Sequence, residues 1–340
     1  MAVEWQERVD LTRANTLGLP CIAERFIEAS TPQDLKEAVA LARQRDWSLT
    51  LLGGGSNLIL GPWLPGLVIT PTFDELCLSP LGDQRVRVDV DAGMNWHVLV
   101  MRLANEGLWG IENLALIPGQ CGAAPIQNIG AYGVELAEVL KAVRVIHLDS
   151  GRQDVLNASD CAFGYRDSIF KNALMDKVAI TGLTLEVTRK PRPRLTYGDL
   201  ARRVSVDPTP LEVAEAVCAV RREKLPDPQA LSNAGSFFKN PLIDWRQARR
   251  LLEDYPEMPH FPQPDGRVKL AAGWLIEQCG LKGWQKGCFG VHEKQALVLV
   301  HHGGGSAQEL LDFAGRVAAR VEARFGVILE REPRTRYLSL

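Results

Sequence analysis

The sequence predicts an α+β protein of more than one domain, on three grounds. The chain has 340 residues, beyond the size at which a single hydrophobic core stops growing, so two or three domains burying about 75% of the unfolded surface are expected. Helix-like and strand-like stretches are mixed along its length, which is the α+β pattern. Paired prolines in Pro191-Arg-Pro-Arg194 and Leu225-Pro-Asp-Pro228 stop helices and ladders alike, and the best domain cut falls near 225–232.

Each element has a local reason. Thr31-Pro-Gln-Asp34 supplies an N-cap, a proline at the first helical position and an acidic third residue. Leu35, Val39 and Ala42 then share one face, giving a helix to about Arg45. Ser48–Leu52 reads as a strand that breaks at Gly53-Gly-Gly-Ser-Asn57, and Leu58–Leu60 and Leu67–Thr70 follow as apolar strand segments. Val86–Val90 alternates like a half-buried strand, after which Asn95 caps a helix carrying Val98, Leu99, Met101 and Leu103. Residues 113–133 are rich in glycine and proline and lack periodicity, a pattern that marks a functional loop or a disordered one, and their apolar content favours function. Strands are expected over 143–147, 179–187, 296–300 and 326–329, and helices over 211–222, 271–279 and 307–324.

Composition excludes several classes. The formal net charge of −2 with interspersed signs offers no electrostatic footprint for nucleic acid or an anionic membrane. No stretch approaches the length of a membrane span, and the N-terminal residues 1–10 lack the apolar region of an export signal. Seven cysteines without a Cys-x-x-Cys pair read as buried thiols of a reducing cytosol rather than a disulfide or zinc framework. His301 and His302 are adjacent, so they point apart on a regular element, and no metal is expected. The run of glycines after them reads as a connector to a helix capped by Ser306.

Other segments carry chemistry. Gly53, Gly54, Gly55, Ser56 and Asn57 expose backbone N–H groups that suit either a phosphate nest or a plain turn, and they match neither the Walker nor the Rossmann spacing. Residues 116–133 combine small residues with Gln127, Asn128 and Tyr132, fitting a flat aromatic ligand or an Ω-loop packed on itself. In Asn233-Ala-Gly-Ser-Phe-Phe-Lys-Asn-Pro241, one hydroxyl stands among two aromatic rings, a cation and amides. Gly235 permits a tight backbone there, the rings can exclude water, and Lys239 and Asn240 offer donors.

Together with Ile117-Pro-Gly119, Pro125-Ile-Gln-Asn-Ile-Gly-Ala-Tyr-Gly133, Phe163-Gly-Tyr-Arg-Asp-Ser-Ile-Phe170 and Leu195-Thr-Tyr-Gly-Asp-Leu200, these segments resemble the UDP-N-acetylenolpyruvoylglucosamine reductase family in its type I form, from Asn15 to Glu332. The resemblance implies a cytoplasmic flavoenzyme of peptidoglycan precursor synthesis that uses FAD and NADPH and acts as a monomer on a small molecule, UDP-N-acetylglucosamine enolpyruvate. It implies an FAD-binding fold of the vanillyl-alcohol-oxidase type in two subdomains, residues 1–75 (completed by 327–340) and 76–225, and a substrate-binding α+β domain over 226–326.

The chemistry suits such a site. A carboxylate on the enol ether carbon makes the double bond a Michael acceptor, so hydride reaches C3 from flavin N5 while negative charge develops as an enolate that must be protonated at C2. The resemblance places Ser236 as proton donor, with Arg166 and Glu332 beside the carboxylate. A serine hydroxyl donates to a strongly basic carbon if geometry is fixed and solvent excluded. Arg166 brings a fork that matches a carboxylate, and a protonated Glu332 would donate to the enolate. Pro333 follows Glu332 where relatives commonly carry a β-branched residue, and Glu330 is the rival because it lies on the same side of an extended strand.

Tyr197 and Lys224 match positions that hold the diphosphate and sugar, with the Tyr197 loop as a lid, and Asn240 and Gln295 match further substrate contacts. Gly53–Asn57 would hold the flavin pyrophosphate, and Ile126, Ile129, Gly130, Ala131 and Gly133 would line the ring and ribityl chain. Ala123 and Ala124 stand where some members carry hydroxyls, so those side chains supply no hydrogen bond. Two rivals are an oxidase on the same fold, reoxidised by oxygen and indifferent to Ser236, and a colourless nucleotide-sugar binding protein. Neither accounts for Arg166, Ser236 and Glu332 together.

Overall fold

The computed structural model describes residues 4–337. The first and last three residues, which the reading of the N-terminus and the expected domain ends include, lie outside the described residues. The chain forms two compact units, one of residues 1–9, 23–54 and 65–223 and one of 10–22, 55–64 and 224–340.

In the first unit the capping signals work as their chemistry requires. Helix Pro32–Gln44 starts on a full capping box in which the Thr31 side chain accepts from Asp34 N–H and Asp34 accepts from the N-cap backbone. Its apolar face, Leu35, Ala38, Val39 and Ala42, is buried with Ile27, Leu67 and Ile69 of a sheet ordered Gln6–Asp10, Ile22–Ala29, Trp63–Pro71, Leu49–Leu51. Leu49–Leu51 runs parallel to Trp63–Pro71. A second sheet is antiparallel, in the order Gln153–Asn157, Leu140–His147, Val178–Thr188, Arg85–Asp91, Leu76–Leu81. Val178–Thr188 is buried along nearly its whole length, as befits a central strand covered on both faces. Helix Trp96–Asn105, with Asn95 accepting from Val98 N–H at 3.1 Å, and helix Pro210–Lys224 pack on that core through Leu99, Val100, Val213 and Val217.

The second unit holds a sheet of Ser232–Ser236, Val298–His301, Phe289–Val291 and Gln285–Lys286, and a smaller one of Leu242–Ile243, Val268–Leu270 and His260–Pro262. Helix Ala307–Phe325 buries Leu310, Phe313, Val317 and Val321 and starts on a Ser306–Glu309 capping box. The preceding glycine run is a connector: buried His301 donates through Nδ1 to Leu17 O at 2.8 Å and accepts Gly305 N–H through Nε2 at 2.9 Å.

Three expectations need correction. No strand forms over 326–329, because Gly326 takes φ +64 as the left-handed cap that closes the long helix; the strand comes later, at Arg334–Arg336, parallel to Leu58–Leu60. Helix Trp245–Asp254 has no counterpart in the sequence reading, since its only buried residues are Ala248 and Leu251. The cysteines are all free, but Cys77 is exposed and Cys279 and Cys288 are half-buried, so they are not uniformly core thiols. Among the described residues no helix is long and apolar enough to cross a membrane.

Candidate active site

The two glycine-rich segments of the first unit meet. A Cβ on Gly53 would lie 2.9 Å from Gln120 Oε1, and one on Gly54 would lie 3.1 Å from Gly119 Cα. The 119–122 backbone in turn bonds to the 92–96 segment, through Trp96 N–H to Gly119 O at 3.0 Å, Cys121 N–H to Met94 O at 2.8 Å and Gly122 N–H to Ala92 O at 2.9 Å. A dinucleotide cofactor needs bare backbone and close approach, and these residues fit one. The stretch then winds through a 3-10 turn, Cys121–Gln127, into the hairpin Gly130–Ala131 with Val134–Glu135. Its connecting residues Tyr132 and Gly133 have φ +48 and +80, the paired positive angles of a type I′ turn.

Asn128, which the sequence offered as a handle for ligand, serves the fold instead. It is buried in a left-handed conformation; its Nδ2 donates to Glu135 Oε2 at 2.8 Å and Gly164 O at 3.2 Å, and its Oδ1 accepts from Ala137 N–H at 3.0 Å. Ser168 adds a bond from Oγ to Ile126 O at 2.6 Å. Ile129 is buried, while Ile126, Gly130 and Ala131 are half-buried and Gly133 is exposed.

Arg166 sits on the far side of those bonds. Gly164 and Asp167 exchange backbone hydrogen bonds at 3.1 and 3.2 Å, so Tyr165 and Arg166 form a tight turn, and Arg166 has φ +54. For a residue other than glycine that conformation costs about 1–3 kcal/mol and is retained where the surroundings over-determine it. Arg166 Nη2 donates to Gly130 O at 2.8 Å, tying the fork to the segment expected to face the cofactor.

The sequence reading missed Arg221. On helix Pro210–Lys224, its Nε is buried without a hydrogen-bond partner among the described residues, its charge is felt by Tyr132, and it feels the charge of Arg166 in turn. Burial pulls the guanidinium below its ordinary pKa, and burial raises that of the Tyr132 hydroxyl. A basic pair, Arg221-Arg222, within an otherwise apolar helix face was the available signal. Tyr197 is 56% exposed with its ring edge-on to Tyr132, centroids 5.3 Å apart. Lys224 is exposed at the helix end.

In the second unit Gly55 has φ +58, and a Cβ there would lie 2.1 Å from Ala14 O and 2.7 Å from Asn15 Cα. Asn15 fixes that neighbour by donating to Leu11 O and Leu19 O and accepting from Leu19 N–H. Gly55→Ala is therefore expected to lower stability by at least about 1–3 kcal/mol from backbone strain alone, read as a shift in the urea midpoint; an unchanged midpoint would refute this account of the turn. Ser56 and Asn57 follow, both half-buried.

Ser236 owes its position to a bulge. Asn233 lies opposite Val300 and Ser236 opposite Val298, so the strand carries one residue more than its partner, and Gly235 absorbs it at φ +69. Asn233 holds the bulge by accepting Gly235 N–H at 2.8 Å and donating to Pro226 O and Leu231 O. Ser236 is exposed, whereas Phe237 and Phe238 are 0% and 1% exposed and pack edge-on in the core. The two rings anchor the strand beneath the hydroxyl and do not screen it from water.

The next residues pair with 330–332, through Glu332 N–H to Phe237 O and Lys239 N–H to Glu330 O, both at 2.9 Å. Lys239 Nζ meets Glu330 Oε2 at 2.9 Å, and the Glu330 side chain is 70% exposed, so that cation is spent on a surface pair. Glu332 is half-buried on the segment that bridges to Phe238 through Arg331. Asn240 and Gln295 converge on the start of helix Ala272–Gln278: Asn240 Oδ1 accepts Ala272 N–H at 3.0 Å, and a Cβ on Gly273 would lie 3.1 Å from Gln295 Oε1.

Residues 227–336 match the family described as UDP-N-acetylenolpyruvoylglucosamine reductase, C-terminal domain, and residues 23–155 match an FAD binding domain. The chain is 48% identical over 332 residues to the UDP-N-acetylenolpyruvoylglucosamine reductase of Cupriavidus pinatubonensis, covering 97% of this chain and 98% of the relative. It is 44% identical over 338 residues to that of Chromobacterium violaceum, covering 98% and 99%. The crystal structure of the Thermus caldophilus UDP-N-acetylenolpyruvylglucosamine reductase superposes with a TM-score of 0.68 at 26% identity, covering 98% of this chain and 99% of that one. The expected α+β class with an FAD-binding domain accords with these matches, and the chain belongs to the UDP-N-acetylenolpyruvoylglucosamine reductase family.

Proposed function

We propose that this FAD-dependent oxidoreductase reduces UDP-N-acetylglucosamine enolpyruvate to UDP-N-acetylmuramate with NADPH, as a cytoplasmic monomer in peptidoglycan precursor synthesis. The near-neutral charge supports a small-molecule substrate in preference to a polyanion. Bound FAD supplies the redox chemistry, taking electrons from NADPH and passing them to the enolpyruvyl group. The protein's part is to hold charge and move one proton. Backbone N–H groups of Gly53, Gly54 and Gly55, with Ser56 and Asn57, hold the pyrophosphate, and Ile126, Ile129, Gly130, Ala131 and Gly133 lie along the ring and ribityl chain.

Arg166, anchored on Gly130 O, meets the substrate carboxylate with its planar guanidinium fork. Arg221, whose Nε is buried, adds a second cation to that anion site. Ser236 protonates C2, and Glu332 hydrogen-bonds the forming enolate. Tyr197 and Lys224 hold the diphosphate and sugar, and Asn240 and Gln295 complete the substrate contacts. The observation that supports this reading is the backbone bond from Glu332 N–H to Phe237 O, which ties the segment carrying Glu332 to the residue after Ser236.

The glutamate assignment has its own test. Glu330→Gln is expected to change stability by less than about 1 kcal/mol, as for exposed ion pairs, and to leave turnover intact. Glu332→Gln is expected to cut kcat by about 10²–10³, as for loss of an oxyanion donor; the reverse pattern in steady-state rates would transfer the role to Glu330. The whole reading is tested by an anaerobic absorbance trace. Yellow protein that bleaches with NADPH and regains colour on adding the enolpyruvyl sugar supports it, while colour regained only with oxygen identifies an oxidase.

A further inference from the structure

We propose that Asn113 is a positioning residue that couples the Tyr197 segment to the Tyr132 turn, so that the substrate-holding loop and the cofactor-facing hairpin take up their places together. This rests on the reading of Tyr197 and of residues 126–133 given above. Asn113 is 0% exposed on the short 3-10 turn Glu112–Leu114. Its Nδ2 donates to Tyr132 O at 2.9 Å and to Arg194 O at 2.8 Å, joining two stretches that are far apart in sequence. The donor count leaves one orientation: turning the amide over would set its oxygen against both carbonyls.

The fold alone does not ask for this residue. Asn113 Oδ1 is buried without a partner among the described residues, a cost that the two donated bonds must outweigh. What the asparagine provides is the two-way clamp. One end holds the carbonyl of Tyr132, a non-glycine residue at φ +48 in a type I′ turn. That turn closes the hairpin whose Gly130 carbonyl holds Arg166. The other end holds the backbone at Arg194, three residues before Tyr197. The same two segments meet again through their rings, Tyr132 against Tyr197 at 5.3 Å, and Arg194 reaches Glu138 at 3.6 Å. A loop held at its base by a bond from a buried side chain and at Tyr197 by an exposed ring contact can move its tip while its base stays in register.

Asn113→Asp keeps the shape and removes the double donor, so it is the principal variant, with Asn113→Ala as the second. In the flavin-loaded Asn113→Asp enzyme, trypsin is expected to cut after Arg194 about tenfold faster than in the parent. The KM for the enolpyruvyl sugar rises by a similar factor, while flavin reduction by NADPH stays within about twofold. Faster cutting with an unchanged KM, or no change in either, overturns the proposal. So does an equal loss in flavin reduction, which marks a general structural role. If Asn113→Asp does not retain flavin, Asn113→Ala decides on the same readouts, and failure of both to retain it makes Asn113 a folding residue and ends the proposal. Failure of the functional reading looks different, because the parent enzyme itself would then not turn over the enolpyruvyl sugar.

Discussion

Ser236→Ala is expected to leave flavin reduction by NADPH near its parental rate and to slow reduction of the enolpyruvyl sugar by about 10²–10⁴, the range for removing a positioned general acid. The separation follows from the chemistry, because only the second half-reaction places a proton on carbon. It also follows from the fold. Ser236 is exposed beyond a bulge held by Gly235 and Asn233, while the core is anchored by Phe237 and Phe238, so deleting one hydroxyl disturbs no packing. Stopped-flow absorbance in the two half-reactions measures both rates. Equal losses in the two would mean that Ser236 is not the proton donor, and Ser236→Cys, which restores a donor at the same point, distinguishes a missing proton from a missing hydrogen bond.

Arg166→Gly is expected to be as stable as the parent or more so, yet to lose about 10²–10³ in kcat, as when an oxyanion donor is removed. Stability and activity part company here because of the backbone. Arg166 holds φ +54, a position costing a non-glycine residue about 1–3 kcal/mol, which glycine occupies without strain. Against that gain stands the lost bond to Gly130 O. Arg166→Lys keeps the charge and the strain but not the fork, so it is expected to recover little of the rate if the carboxylate is held by two parallel bonds. Urea midpoints and kcat for both variants supply the test. A lysine variant with near-parental kcat would reduce Arg166 to a point charge, and a marked loss of stability in Arg166→Gly would show that the bond to Gly130 outweighs the strain.

Much of the local architecture was legible. Thr31, Asn95 and Ser306 act as caps, the strand over Val86–Val90 alternates as read, and Gly235 takes the positive φ that glycine permits. These features depend on residues within a few positions of one another, or on what a missing Cβ allows. The strand read at 326–329 failed for an equally local reason, a glycine cap taken for the start of a strand. Helix Trp245–Asp254 was missed although its residues are amphipathic, because that pattern is carried by charged side chains around only two buried residues, Ala248 and Leu251.

The candidate site divides along the same line. Ser236 and the glycine segments could be singled out from their neighbours in sequence, and Arg166 through the family resemblance. By itself the sequence determined the fold class, the caps, the turn glycines and the family likeness, all of which arise from short-range patterns or from several motifs in a fixed order. Only the tertiary structure decided that Glu330 is spent on Lys239, that the two phenylalanines face the core, that Asn128 serves the hairpin, and that Asn113 and Arg221 carry buried polar atoms without partners among the described residues. Whether a polar group is satisfied depends on which distant segments fold against it, and no local spacing encodes that.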